Sequence, residues 1–245
     1  MRQIPRLFVD FELSGDLVAP LAPAQTHYLA TVLRLQPGAE LRLLDDRTGE
    51  WAAIIERVGR RETTVRVGAM IRGREQVPDL WLLAAPIRPE RFAWVVEKAT
   101  EMGVARVVPV LTERTQHARQ KHDRLRAHML EAAEQCGRTA LPQLDEPVKL
   151  ADMLAAWGAG RALLFADEEG GAPMPDAAAP PPAAILIGPE GGFSPAERKN
   201  LMSMPMAQRL SLGPRILRAD TAAVAALAQW QMAIRKALAE GEGGR

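Results

Sequence analysis

Two short stretches hold the residues whose types and spacing suit chemistry. The first is Ile187-Gly188-Pro189-Glu190-Gly191-Gly192-Phe193-Ser194-Pro195-Ala196-Glu197. Its three glycines either let the backbone approach a ligand closely or simply turn the chain, and the residues alone leave both open. Ser194 and Glu197 have capping-box spacing with Pro195 at the first helical position, so a helix opens here. The spacing is not the Gly-x-Gly-x-x-Gly dinucleotide fingerprint, and the lysine of a P-loop is missing, so a phosphate-bearing cofactor is not indicated. The second stretch is Leu210-Ser211-Leu212-Gly213-Pro214-Arg215-Ile216-Leu217-Arg218-Ala219-Asp220-Thr221-Ala222-Ala223. A Gly-Pro turn leads to two arginines, then to Asp220 or Thr221 as the cap of a long helix. A helix N-terminus beside two guanidinium groups could receive a phosphate or carboxylate. The alternative is a capped helix with Arg215 and Arg218 merely solvated.

The elements that must position these stretches can be read from periodicity. Leu80–Ala84, Val107–Leu111, Ala162–Phe165 and Ala184–Ile187 read as strands, although Pro109 is awkward in the middle of one. Pro89 opens a helix with Phe92, Val95, Val96, Ala99 and Met102 at helical spacing, ended by Gly103. A second helix carries Leu125, Met129, Ala132, Ala133 and Cys136 on one face, closed by Gly137. The terminal helix carries Val224, Leu227, Trp230, Ile234 and Leu238. Such alternation of strand and helix argues for a mainly parallel α/β sheet. Earlier residues read differently. Leu41–Leu44 and Trp51–Ile55 flank a polar, Gly-containing turn and predict a hairpin, with Thr63–Val67 as a further strand and a short helix near 25–33. Several short strands in so few residues suggest a small barrel. The polar segment Gly73–Pro78 puts the domain boundary between residues 1–72 and 73–245. The Ala/Pro-rich stretch 172–183 reads as a surface loop, and residues 241–245 as a frayed end.

Composition excludes several classes. The chain has 245 residues, 47% of them hydrophobic and 25% charged, which suits a soluble globular protein and rules out disorder for most of its length. Arg6, Asp10 and Glu12 break the early apolar runs, and no segment is long enough to span a bilayer, so a cytoplasmic protein without membrane association is expected. A single cysteine fits a reducing compartment. The net charge of +1 supplies no global field for nucleic acid, so RNA binding would need local patches. His117, His122, His128 and Cys136 fall in one region, but their spacing matches no zinc motif, and no metal is expected. Cys136 is expected to be a buried small hydrophobe and not a nucleophile.

Together the two stretches resemble the bacterial 16S ribosomal RNA uridine-1498 N3-methyltransferases. Gly-Pro-Glu-Gly-Gly-Phe-Ser is followed some twenty residues later by Leu-Gly-Pro-Arg-Ile-Leu-Arg-x-Asp-Thr-Ala. Ile4–Phe8, His27–Leu29 with Val32–Leu35 and Gly38, Glu97–Val104, Glu113-Arg114 and Glu134–Arg138 are similar to further blocks of the family. The resemblance spans nearly the whole chain. The family usually has Glu where this chain has Asp220, so the carboxylate is kept with a shorter reach.

The resemblance implies an α/β fold: a C-terminal SPOUT-type trefoil-knotted domain preceded by a small PUA-like β-barrel that binds RNA. It implies S-adenosylmethionine as cofactor, held by Leu164 and the segment after it and by Gly188, Pro189, Gly191, Gly192, Leu212, Gly213, Ile216 and Leu217. It implies 16S rRNA in the 30S subunit as substrate and a homodimer, to which the terminal helix with Trp230 and Met232 offers a surface as readily as it offers core packing. Arg218, Glu190 and Asp220 are the catalytic candidates: an arginine for negative charge on the uracil, and two carboxylates for the proton. Arg6, Arg34, Arg88, Arg91, Lys98, Arg114, Arg138 and Arg215 are the expected RNA contacts. The alternatives are a knotted methyltransferase acting on another RNA, or a non-catalytic RNA-binding or ribosome-assembly factor.

Overall fold

The computed structural model describes residues 4–59, 62–174 and 179–242, with side chains described up to Lys236. It divides into two compact units, Met1–Gln76 with Leu130–Leu141, and Val77–Met129 with Pro142–Arg245. Residues 73–76 and 130–141, which the sequence boundary assigns to the second domain, cluster with the first unit.

In the first unit, β1 (Arg6–Phe8), β2 (Val18–Pro20), β3 (Glu40–Asp45), β4 (Gly49–Val58) and β5 (Thr63–Gly73) form one sheet in the order β1-β3-β4-β5-β2. The expected hairpin is β3–β4, antiparallel from Asp45↔Gly49 to Glu40↔Ile54. Alternate residues point inward, so Leu41, Leu43, Ala53, Ile55, Val65 and Val67 make the core with Leu7, Leu13 and Leu29. The short helix is split: α1 (Pro23–His27) runs into a π-helical turn at Tyr28–Val32. Gly137, with φ +75°, ends the 130–136 helical segment, and Arg72 donates to its carbonyl.

The second unit is a sheet of parallel pairs. Its strands are β6 (Leu80–Ala84), β7 (Arg106–Leu111), β8 (Gln143–Leu144), β9 (Val148–Lys149), β10 (Ala162–Ala166), β11 (Ala172–Pro173), β12 (Ala183–Ile187) and β13 (Ala207–Ser211). The order is β11-β13-β10-β12-β6-β7-β8, with β9 also on β7. Buried on both faces, β12 is apolar throughout. Pro109 is tolerated because of where it sits in β7. On one side β7 lies in register with β6 through Ala84↔Pro109; on the other, β8 pairs Arg106 and Val107 and β9 pairs Val110 and Leu111, so Pro109 falls in the gap between them. The helices are α2 (Pro89–Glu101), α4 (Leu150–Ala155), α5 (Pro195–Ser203) and α6 (Ala219–Glu242), with residues 122–129 of α3 (His122–Cys136), whose remaining residues belong to the first unit. α2 buries Phe92, Val95, Val96 and Ala99 as its spacing predicts.

Several expectations fail for identifiable reasons. Cys136 is exposed. The buried face of α3 ends at Ala133, and the last residue has only the Ala133 carbonyl to lean on. α6 begins at Ala219, so Asp220 and Thr221 lie in its first turn and not at its cap. Of the two readings left open for the terminal helix, Trp230 takes core packing, buried and donating to the Ala179 carbonyl, while Met232 is exposed. Leu238 lies outside the described side chains. Within the expected loop 172–183, residues 172 and 173 form β11 against β13, and 175–178 lie outside the described residues. Residues 241 and 242, expected to fray, belong to α6, and 243–245 lie outside the description. Among the described residues, no helix is long and apolar enough to cross a membrane.

Asp45 anchors the β3–β4 turn. Its carboxylate accepts from the amides of Leu13, Arg47, Thr48 and Gly49 and from the Thr48 hydroxyl. Burial alone would raise its pKa, but these hydrogen bonds outweigh burial and hold it below the ordinary aspartate range. The contribution is therefore complete above that range and fades as pH falls through the lowered value. Asp45→Asn should lose about 1–3 kcal/mol of stability at neutral pH, with the deficit shrinking in acid. Urea denaturation against pH checks this, and a deficit independent of pH would place its origin elsewhere than in the charge.

Candidate active site

Three adjacent strands, β13, β10 and β12, end side by side, and the loops that follow them enclose a cavity of about 180 Å³. Its walls are Ala166–Gly170 after β10, Ile187–Glu190 with Gly192 and Phe193 after β12, and Leu210–Leu217 at the end of β13. The carboxyl edge of a parallel sheet is where such folds place ligand sites.

Backbone conformation explains the glycines. Gly192 has φ +66°, and a side chain there would meet Glu168 Oε1 at 3.0 Å. A side chain at Gly188 would meet Phe193 Cζ at 3.2 Å. The ring of Phe193 lies edge-on to Phe165, which fixes this wall to the core. The predicted capping box closes α5: Ser194 Oγ accepts from Glu197 N at 3.2 Å, and Glu197 Oε2 accepts from Ser194 N at 2.9 Å. Glu197 also accepts the Glu113 amide at 2.8 Å through its other oxygen. Arg114, next in chain, donates to the Gly191 carbonyl at 2.7 Å.

One buried carboxylate ties the three walls. Asp167 Oδ2 accepts from Arg198 Nε at 2.9 Å and Arg209 Nε at 2.8 Å, and Oδ1 accepts the Glu169 amide at 3.1 Å. Arg198 stands on α5 and also pairs with Glu169; Arg209 stands on β13. Burial would raise the Asp167 carboxyl, but these donors, Arg198 foremost, hold it below the ordinary range.

The cavity brings together most of the expected site residues. Gly188, Pro189, Glu190, Gly192, Leu212, Gly213, Arg215, Ile216 and Leu217 line it. Ile216 is 80% exposed at the mouth, apolar surface without protein cover. Four expected residues lie off its walls. Leu164 is fully buried in the middle of β10, and the lining begins two residues later. Gly191 turns its carbonyl to Arg114. Arg218 is exposed just before α6. Asp220 accepts from Arg91 Nη1 at 3.0 Å and from the Thr221 amide at 2.8 Å.

The expected RNA contacts are equally mixed. In the first unit, Arg34 is exposed, and Arg6 is partly exposed and paired with Glu50. Arg138 is a correction: its side chain is buried beside Glu75, which accepts the Thr139 and Ala140 amides, so it braces that turn and faces no solvent. In the second unit, Arg88 and Arg114 are exposed, Arg91 is paired with Asp220, and Lys98 bridges Glu97 and Glu101. Among the described residues, no group of three or more His, Cys, Asp or Glu could hold a metal. Asp167, Arg198 and Phe193 went unpredicted. The available signal for Asp167 was an acidic residue directly after an apolar strand.

Comparison with known proteins decides the family. The RNA methyltransferase domain family matches residues 74–231, and the RNA methyltransferase PUA domain matches 21–68. The chain belongs to the RNA methyltransferase family. Ribosomal RNA small subunit methyltransferase E of a Synechocystis species is 32% identical, covering 91% of this chain and 76% of its own. The protein of that name in Rickettsia conorii is 29% identical, covering 91% and 93%. A Legionella pneumophila methyltransferase solved with bound cofactor SAM is 32% identical, covers 94% and 98%, and superposes with a TM-score of 0.86. The fold class is accordingly a SPOUT-type knotted α/β domain preceded by a PUA-like β-barrel.

In this methyltransferase, Asp167→Asn keeps the shape of the hub and removes its charge. It should cost about 1–3 kcal/mol of stability and weaken S-adenosylmethionine binding roughly tenfold, equivalent to 1.4 kcal/mol. Denaturation and calorimetry read the two effects. Unchanged affinity would show that the hub does not set the cavity.

Proposed function

We propose that the chain methylates N3 of uridine 1498 of 16S rRNA in the 30S subunit, using S-adenosylmethionine. The observation that carries this reading is the convergence of both motif loops and the Ala166–Gly170 loop on one cavity. The lining fits the cofactor. Close-approach glycines at 188 and 192 expose backbone amides and carbonyls to adenine, and Leu212, Ile216 and Leu217 offer apolar cover for its faces. When bound, S-adenosylmethionine supplies a methyl group already activated on a sulfonium.

The chain must then do two things: align uracil N3 and favour its deprotonated form. Alignment can supply about 7–11 kcal/mol of barrier lowering, whereas a general base typically contributes about 10²–10⁴ in rate. Positioning therefore dominates, and the transfer needs neither a metal nor a covalent nucleophile. Arg218, with Arg215 on the cavity wall, stabilises negative charge developing on the uracil oxygens. Glu190, also on the wall, accepts the N3 proton. Asp220 is already engaged by Arg91, and it orients the first turn of α6 beneath Arg218. Residues 1–72 serve RNA binding and 73–245 methyl transfer. Arg6, Arg34, Arg88 and Arg114 contact RNA, and the enzyme acts as a cytoplasmic homodimer.

Purified protein, labelled S-adenosylmethionine and unmodified 30S subunits should yield 3-methyluridine at a single site. Another methylated nucleoside would overturn the assignment. Arg218→Ala should slow single-turnover transfer more than roughly tenfold, about 1.4 kcal/mol. A loss under about threefold would remove Arg218 from the transition state. Raising salt from about 50 to 200 mM should weaken subunit binding steeply. A flat response would contradict the arginine contacts.

A further inference from the structure

We propose that the first unit carries a pocket for one unpaired RNA nucleotide, its base stacked on Tyr28 and its phosphate beside Arg6. The proposal rests on the reading of the chain as an RNA-modifying enzyme. It adds a binding site remote in sequence from the motif loops.

A cavity of about 600 Å³ lies between β1, the α1–π-helix segment and the 130–136 segment of α3. Tyr28, the only tyrosine of the chain, lines it and is 40% exposed. Nothing in the core requires that exposure: the next residue, Leu29, is fully buried and supplies the packing. Tyr28 begins the π-helical turn, with Leu33 N donating to the Tyr28 carbonyl at 2.9 Å across five residues. Single π turns concentrate at functional sites. The segment closes on Arg34, whose φ of +53° is a conformation that a residue other than glycine adopts only under constraint. The surrounding structure thus enforces an unusual path that leaves an aromatic face open.

The other walls supply what a nucleotide needs besides stacking. Arg6 lines the cavity, and its Nε donates to Glu50 at 3.1 Å. Glu50 is almost fully buried and also accepts from Arg72 at 2.6 Å, so the Arg6 guanidinium is held in place. Among the described residues its two terminal nitrogens make no further bond, which leaves their four N–H groups to donate to a phosphate. Gln135, exposed on the helical wall, can donate to or accept from a base edge; Glu134 beside it accepts the Phe8 amide at 2.7 Å through Oε1, which leaves Oε2 to accept from an imino or amino group. An aromatic face, a fixed guanidinium and edge-reading amide and carboxylate groups together form the set by which proteins hold splayed-out bases of single-stranded RNA.

The test uses the full chain and a short fluorescein-labelled oligouridine, read by anisotropy, with methylation of 30S subunits measured in parallel. Tyr28→Ala should weaken oligouridine binding by roughly fivefold or more, and Tyr28→Phe, which keeps the ring, should stay within about twofold of wild type. Calorimetric S-adenosylmethionine affinity should be unchanged in both. Tyr28→Ala binding as wild type does, or Tyr28→Phe binding as poorly as Tyr28→Ala, would overturn the pocket. If the wild type methylates 30S subunits and Tyr28→Ala matches it in both assays, the pocket alone falls. If the wild type does not methylate them yet binds oligouridine through Tyr28, the proposed activity falls and the pocket stands.

Discussion

The cavity depends on one buried carboxylate. Asp167 leaves the end of β10 and meets two guanidinium groups, Arg198 from α5 and Arg209 from β13. Without it, the three loops would be separate excursions from neighbouring strands. With it, the first is pinned to the helix that follows the second and to the strand that precedes the third. A carboxylate this buried is stable as an ion only when its donors are in place, so the ion pair forms only when all three walls are correctly assembled.

The parallel sheet sets the constraint one level up. β10 lies between β12 and β13, so their carboxyl ends open on the same edge. The strands can be this apolar because both faces are covered, α6 packing its Ala222, Ala223, Ala226, Leu227 and Trp230 face inward. The polar work is left to the loops. There, glycine replaces side chains where the backbone itself must form the wall, and Phe193 locks the turn against Phe165. Ion pairs and burial also separate the cations expected to contact RNA or act in catalysis. Arg91 and Lys98 are committed to carboxylates and Arg138 is buried, while Arg88, Arg114, Arg215 and Arg218 remain exposed.

Much of this was legible in the sequence where one local rule dominated. Alternating apolar residues around a polar turn specified the β3–β4 hairpin, helical spacing specified α2, and Ser194 with Glu197 specified the start of α5. The glycine-rich turn and the Gly-Pro loop could be singled out, although their convergence could not, because strand order is a non-local property. Asp167 was illegible for the same reason: its partners lie 31 and 42 residues away. Local patterns also misled. Cys136 continues the apolar spacing of α3, yet the helix ends there and nothing covers it. Asp220 has the chemistry of a cap, yet α6 starts one residue earlier. The π turn at Tyr28 leaves no mark in apolar spacing, since a single inserted residue only shifts the phase of the helix.

Hydrogen exchange with and without S-adenosylmethionine would show whether the three loops act as one cofactor site. Binding at a single shared site should slow exchange together in residues 166–170, 187–192 and 211–217. Exchange unchanged in those segments at saturating cofactor, or protection confined to residues 4–76, would contradict it.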